Sequence, residues 1–545
     1  MTNRSLGHRA PVLWLVLPLM AGLAVGRTAQ LASNFALLVG ASLAVVGALL
    51  ASFRAPRLFA PVVCLAMFFA GMASYALHRP RIAAWDQLPP REARVELKIQ
   101  RTFAQDDPRK AAGLAIVTRA DAPLHELVGQ RVYFGLTLRA SEAAPIRSAV
   151  ISAIGVIVAL PRDPPGNTFD GYLANAGINF RLTRGRVLKE QIPASAYYRF
   201  CASQAEGFAG ILGKGVAAKK PELVGVFRAM LLGRQHELSD EQLATFRQTG
   251  TMHVFSISGL HIAVIAIGLH ALLSLLRLPR WVRFAIELGV LWLYVDITGA
   301  APSAIRAFVM VAVVETAIAF RLPRNPLSAL ATSALIILVF APLQLFSASF
   351  QMSYGIVAAL LLLGLPLAES WQRRLALFQD LPKASWGVAR HLTDQGWRAI
   401  LAAAAIGTAA SLVSAVTGVL FFNLITPGAL IANLWLIPAC SLVLYMGMFS
   451  LLFGLAGFAI GTVLANHAAL VLLWLVETGI RISVDLPGMW FNATFRNPWI
   501  GAVTLTALVI ALVTGYAGNW RGWHRGYWAP FAVVAIALCC SVKYG

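Results

Sequence analysis

About thirteen stretches of this chain are apolar over roughly the length that crosses lipid hydrocarbon, and few folds can accommodate so many. A backbone inside a bilayer must satisfy its own N–H and C=O groups, which leaves helices or a closed barrel; runs this long are helices. Three runs come first, at about Pro11–Val25, Phe35–Leu50 and Leu58–Leu77. Ten more follow residue 250: Val254–Leu276, Trp281–Ile297, Pro302–Phe320, Leu327–Ala341, Ser353–Ala368, Ile400–Phe422, Pro427–Phe453, Phe458–Val476, Trp499–Gly515 and Ala529–Val542. Only 13% of the 545 residues are charged and 58% are hydrophobic, which excludes an ordinary soluble domain of this length.

Basic residues orient these runs. Arg4 and Arg9 precede the first, and Arg54 and Arg57 separate the second from the third, so both ends are cytoplasmic and the third run leads outward. Counting crossings from there places four later clusters inside. They are Arg277, Arg280 and Arg283; Arg321 and Arg324; Arg373, Arg374, Lys383, Arg390 and Arg398; and Arg521 and Arg525. The C-terminus then lies outside. This bias accounts for much of the net charge of +21, which is therefore weak evidence for an anionic substrate. The basic N-terminus and first apolar run read as a spanning helix rather than a cleaved signal, because no soluble sequence follows.

Between residues 79 and 193 alternation replaces the long runs, in ARVELKIQRTF, GLAIVTRA, QRVYFGLTL, AVISAIGVIVAL and GINFRLTRGRVL. Five such strands predict a small barrel of the oligonucleotide-binding type, inserted outside the membrane after the third helix. Arg101, Arg119, Tyr133, Phe134, Phe180, Arg181, Arg184 and Arg186 are its candidate contacts, since cations suit phosphates and rings suit base faces. The plainer alternative puts the rings in the core and the arginines in water. Residues 194–250 follow as amphipathic helices expected at the outer interface or in a vestibule, and residues 251–545 form the polytopic bundle.

Polar groups at membrane depth mark the candidate path. Thr249-Gly250-Thr251-Met252-His253 and then Ser256, Ser258, Gly259 and His261 stand at the entrance of one apolar run. Pro302 and Ser303 open another as a helix start with free N–H groups, and Arg306 lies a turn deeper. Glu287, Asp296 and Glu315 are the nearby carboxylates, and any of them pairing with Arg306 would make it a helix lock instead. Ser349, Phe350, Gln351, Asn423 and Asn433 lie in two further broken segments, and Pro487-Gly488 reads as a re-entrant break. Such side chains line a wet path or bond helices together, the latter at roughly 0.6 kcal/mol each.

No cofactor is expected. His253 and His261, eight residues apart on a helix, would point about 80° apart with no third ligand nearby, which argues against a metal. Gly213-Lys214 is followed by glycine, so no ATP-binding loop is present. Five cysteines show neither metal spacing nor an evident pair.

Several blocks in order resemble the ComEC-type competence proteins. They are GNTFDGYLANAGI, LLGRQHELS with FRQTGTMHVFSISGLHIAVIA, TGAAPSAIRAFVM, NPLSALATSALIIL, SASFQMSYGIVAALLL and FFNLITPGALIANLWLIP. The resemblance implies an inner-membrane channel for single-stranded DNA in natural transformation. A periplasmic DNA receptor would feed it, and cytoplasmic proteins would pull the strand. It implies path roles for His253, Ser256, Ser258, Gly259, His261, Pro302, Ser303, Arg306, Ser349, Phe350, Gln351, Asn423 and Asn433; the carboxylates Asp296 and Glu315 join them as path candidates from their position alone. The family's His-x-His-x-Asp-His metal signature does not occur in the chain. The expectation is therefore no enzyme, with a separate nuclease chain degrading the other strand. A secondary transporter of a small anion and a non-transporting scaffold are the alternatives.

Overall fold

The computed structural model describes residues 10–28, 33–52, 56–79, 85, 89–105, 107–140, 142–161, 164–255, 257–323, 325–378, 386–520 and 526–544. Ser256 and the orienting residues Arg4, Arg9, Arg54, Arg324, Lys383, Arg521 and Arg525 lie outside these, as does the side chain of Arg57. Each of the thirteen apolar runs overlaps helical structure, although the run from Val254 becomes helical only at Gly259 and that from Ser353 crosses a π-turn. Among the described residues, seven helices are long and apolar enough to cross a membrane: Leu58–His78, Pro302–Ala319, Ala348–Arg374, Val388–Phe422, Ala429–Leu455, Ala459–Val484 and Trp499–Ala517.

The N-terminal helices are α1 (Leu13–Thr28), α2 (Ser33–Ser52) and α3 (Pro56–His78). Glycines let α1 and α3 touch through their backbones: a Cβ on Gly22 would lie 1.9 Å from the Phe68 carbonyl oxygen, and one on Gly71 would lie 2.4 Å from that of Leu19.

Next come β1 (Arg91–Phe103), β2 (Lys110–Ala120), β3 (Arg131–Thr137), β4 (Val150–Ala159) and β5 (Phe180–Ile192). They close a barrel in the order β1-β2-β3-β5-β4, with β3 and β5 parallel and the other pairs antiparallel. Alternate residues such as Val95, Leu97, Ile99, Phe134, Leu136, Phe180 and Leu182 fill it. The short helix α4 (Phe169–Asn175) joins β4 to β5, and its sequence reads directly as geometry. Thr168 Oγ1 accepts the Gly171 N–H at 3.1 Å. Gly171 must be glycine, because a Cβ there would lie 2.1 Å from the Pro165 carbonyl oxygen; Gly177 takes φ +79° to end the turn.

Helices α5 (Ala196–Gly213), α6 (Pro221–Leu232) and α7 (Asp240–Gln248) follow. The amphipathic pattern expected of this segment does not hold for α6. It is apolar on almost every side, and Leu223–Phe227 and Ala229–Leu232 are buried in the largest core cluster.

The bundle continues with α8 (Gly259–Leu275), α9 (Arg280–Ile297), α10 (Pro302–Ala319), α11 (Pro326–Phe340) and α12 (Ala348–Ala359). A π-turn at Leu360–Gly364 leads to α13 (Leu365–Arg374). Then come α14 (Val388–Phe422), α15 (Ala429–Leu455), α16 (Ala459–Val484), α17 (Pro498–Ala517) and α18 (Trp528–Ser541). Asn466 of α16 is fully buried and donates from Nδ2 to the carbonyls of Ile211 and Lys214, at 2.9 and 3.0 Å. It thereby adds a second bond to the Ile211 carbonyl, which already accepts the Lys214 N–H at 3.1 Å, and satisfies the Lys214 carbonyl beyond the end of α5. A small antiparallel sheet, β6 (Leu424–Ile425), β7 (Phe491–Phe495) and β8 (Val542–Tyr544), ties two broken segments together, with Leu424 opposite Asn492. Pro487-Gly488 thus precedes a strand, where the sequence suggests a re-entrant loop.

Candidate functional site

The entrance motif splits into a turn and a helix start. Residues 252–255 form turns, and α8 begins at Gly259, so His253 and His261 do not share a helix and the expected 80° relation between them does not apply. His253 is exposed and bonds through Nδ1 to the Gly250 carbonyl at 3.0 Å. His261 is fully buried. Its Nδ1 accepts the Ser258 N–H at 3.2 Å and lies 2.8 Å from Ser258 Oγ, so the ring proton belongs on Nε2. That nitrogen is buried with no hydrogen-bond partner among the described residues. Gly259 itself packs 3.9 Å from Ala307, measured from an added Cβ, which brings α8 against α10.

Gly250 sets the approach of this motif to the next broken segment. Its φ is +69°, and a Cβ would lie 2.6 Å from Thr426 Oγ1 and 3.2 Å from Ala429 Cβ. We expect Gly250→Ala to destabilise the protein by about 1–3 kcal/mol, from left-handed strain plus the contact. Adding Thr426→Ala should recover only the contact part, as read by thermal unfolding in detergent. Full recovery would show that the backbone conformation costs nothing.

Pro302 and Ser303 open α10, and Ser303 Oγ donates to the Ile257 carbonyl at 2.7 Å, joining that helix start to the entrance motif. Arg306 is one of the largest fully buried side chains, 1% exposed. Its guanidinium donates to Gln344 Oε1 at 3.1 Å and to the Ser349 carbonyl at 2.9 Å, and it also reaches Ser349 Oγ. No carboxylate lies within ion-pair distance among the described residues, and Nε is buried without a partner. The three nearby carboxylates are engaged elsewhere. Asp296 accepts from Arg147 Nη1 at 2.8 Å and from the Tyr197 hydroxyl at 2.9 Å. Glu287 and Glu315 face His270, at 3.2 and 3.9 Å.

Asp296 is therefore an anchor between the barrel's β3–β4 connection, α5 and the bundle, rather than a bare group in a path. Burial and the Asp296 carboxylate together push the Tyr197 phenol above its ordinary pKa. Gln351 donates from Nε2 to the Leu345 carbonyl at 3.1 Å, leaving its Oε1 buried without a partner. Asn423 takes a left-handed conformation, φ +55°, to end α14, so backbone geometry alone accounts for its residue type. Asn433, on α15, has a buried Oδ1 with no partner among the described residues.

On the barrel, Phe134 and Phe180 are buried, 0% and 1% exposed, and serve as core, correcting their expected place on the surface. Arg119, Arg184 and Arg186 are exposed on β2 and β5. Arg101, Tyr133 and Arg181 meet in one patch with three residues that the sequence reading passed over: Phe103, Phe169 and Tyr172. Phe103 stacks on Tyr133 at 6.3 Å and Phe169 on Tyr172 at 6.0 Å, while Tyr133 meets Phe169 edge-on at 5.2 Å. Arg101 sits over Phe103 at 5.3 Å, and Arg181 lies 5.8 Å from both Tyr133 and Phe169. Asp170 holds Arg181 in place at 2.6 Å. Burial lowers the Arg101 pKa, partly offset by Tyr172, and raises that of Tyr133. Phe169 and Tyr172 remain 46% and 39% exposed, so the patch presents ring surface beside fixed cations. The signal was available in FDGY, whose two rings lie three residues apart on one helix face.

A third group assembles between α8, α9 and α10: His270, Glu287 and Glu315 offer ligand atoms all within 4.8 Å of one another. Each stands alone in its own segment, so no sequence spacing announces it.

A family model described as competence protein matches residues 230–517. ComE operon protein 3 of Bacillus subtilis (strain 168) is 32% identical over 142 residues, 26% of this chain and 18% of that protein. Competence protein ComA of Neisseria gonorrhoeae is 33% identical over 150 residues, 25% of this chain and 21% of that protein. The matched region thus spans about a fifth of the length of these relatives. No solved structure matches the chain.

Proposed function

The chain belongs to the competence protein family, and from that premise we propose that it carries one strand of DNA across the bacterial cytoplasmic (inner) membrane during transformation. The observation that carries this reading is the patch of Arg101, Phe103, Tyr133, Phe169, Tyr172 and Arg181 on the barrel. Exposed rings beside guanidinium groups suit unpaired bases on a phosphate backbone, and a small inorganic or metabolite anion has no use for the rings. The barrel is read as an oligonucleotide-binding type, supported by its five-strand order and parallel β3–β5 pair. Its helix lies in the β4–β5 connection.

In this reading all thirteen helices cross the membrane and the barrel stands outside. A periplasmic receptor delivers the DNA, and cytoplasmic proteins pull it. The chain itself is not an enzyme, and a separate nuclease degrades the other strand. The strand passes from the barrel to the orphan donors, His261 Nε2 and Arg306 Nε, which hold phosphates weakly and in succession. Both residues are buried, so passage requires α10 to part from its neighbours.

The test is equilibrium binding of a labelled single-stranded oligonucleotide to the purified full chain. Phe169→Ala and Tyr172→Ala are each expected to weaken binding by about 1–3 kcal/mol, roughly 5- to 150-fold. Duplex DNA should bind more weakly and without sensitivity to either substitution. The unpaired Arg306 also suits a small-anion transporter. Absence of strand binding, together with altered anion uptake in a deletion strain, would favour that rival.

A further inference from the structure

We infer that His270, Glu287 and Glu315 form a binding site for a divalent transition cation between α8, α9 and α10, independent of any DNA. The three residues approach from three helices. His270 Nδ1 lies 3.2 Å from Glu287 Oε2 and 3.9 Å from Glu315 Oε2, and all three ligand atoms fall within 4.8 Å. Ligands bound at about 2.0–2.2 Å around a tetrahedral ion are separated by about 3.3–3.5 Å, so small side-chain movements complete the set.

Among the described residues, protein groups leave Glu287 poorly satisfied. Glu287 is 1% exposed, its Oε1 has no hydrogen-bond partner, and no Lys or Arg pairs with it among the described residues. Arg283, one turn away on α9, is directed elsewhere: its Nη1 donates to Ser274 Oγ at 2.9 Å. One imidazole nitrogen faces both carboxylates, and it has a single proton to give. A buried carboxylate and a half-buried one this close repel, and a divalent ion cancels the charge while using the orphan oxygen of Glu287.

The donor set of one imidazole and two carboxylates suits Zn²⁺, Mn²⁺ or Co²⁺ better than soft Cu⁺, which prefers sulfur. Three protein ligands leave one position open. All three residues lie within about 10 Å of the helix ends at Leu275, Arg280 and Ala319, which share one side because the connection from α8 to α9 is short. An ion there would pin that end of α8, α9 and α10 together.

The experiment uses full-length protein in detergent without a polyhistidine tag, stripped with chelator and titrated with Co²⁺. One equivalent should bind, with the visible d–d bands of a four-coordinate site and no thiolate charge-transfer band, and Zn²⁺ should displace it. Glu287→Gln and His270→Ala should each weaken Co²⁺ binding by at least about 100-fold. Glu315→Gln alters a partly exposed residue, so it tests the site even if the Glu287 variant does not fold. Three outcomes overturn the proposal. They are no stoichiometric metal on the parent protein, equal binding by parent and all folded variants, or a sulfur-ligated spectrum.

Discussion

Replacing Arg306 with methionine is expected to lower DNA uptake by on the order of a hundredfold or more while the chain still inserts at parental levels. The two halves of that result come from one arrangement. Arg306 is buried, yet it is held by the Gln344 amide oxygen and by Ser349 rather than by a carboxylate. A buried ion pair that loses one partner strands the other charge, whereas removing this guanidinium strands no anion. Methionine keeps the volume and removes the charge, so the fold should tolerate it. A passing phosphate would lose a forked, charge-assisted donor. Arg306→Lys keeps the charge without the fork and should retain partial uptake. Transformation frequency, read beside membrane-fraction abundance, decides the matter. Parental uptake in the methionine variant removes Arg306 from the path, and loss of the protein from the membrane makes it a brace.

Asp296→Ala should detach the barrel from the bundle. Its side chain is 1% exposed and accepts from Arg147 and Tyr197, which come from the β3–β4 connection and from α5. Arg147 also lies over the Tyr198 ring at 4.7 Å. Breaking a buried pair often costs about 3–5 kcal/mol, but Arg147 is 38% exposed and recovers some hydration. A loss on the order of 2–3 kcal/mol is expected. Hydrogen exchange should rise across residues 139–149 and the first turns of α5, with the barrel strands unchanged. Arg147→Ala in the Asp296→Ala background should add little, since the partners form one unit. Unchanged exchange in that connection would mean that other contacts, such as Asn175 Nδ2 to the Phe346 carbonyl at 3.1 Å, hold the barrel alone.

The helices and the barrel were legible because each rests on a periodic pattern. Runs such as Pro302–Phe320 are nearly uniform in hydropathy, and strands such as ARVELKIQRTF alternate with the pleat. Single polar residues were legible as unusual, but their partners were not, because partners come from distant segments. Asp296 and Arg306 look alike in sequence as charges near a helix end. Only packing shows that the first meets Arg147 and Tyr197 while the second meets no carboxylate. Strand alternation gives two faces without saying which points inward, which leaves Phe134 and Phe180 open between surface and core until packing decides for the core. The amphipathic pattern of residues 194–250 predicts a wet side for α6 that its packing does not give it. Arg228 of α6 is paired with Glu237 at 3.1 Å.

Burial of His261 and Arg306, at 0% and 1% exposure, bears on cellular energetics. A membrane pathway wide enough for a nucleotide and always ajar would let ions run down the voltage that the cell maintains, worth about 2.3 kcal/mol per charge per 100 mV. On the proposed strand path, sealing both residues between helices would keep the resting molecule closed to ions and confine any leak to the passage of a strand.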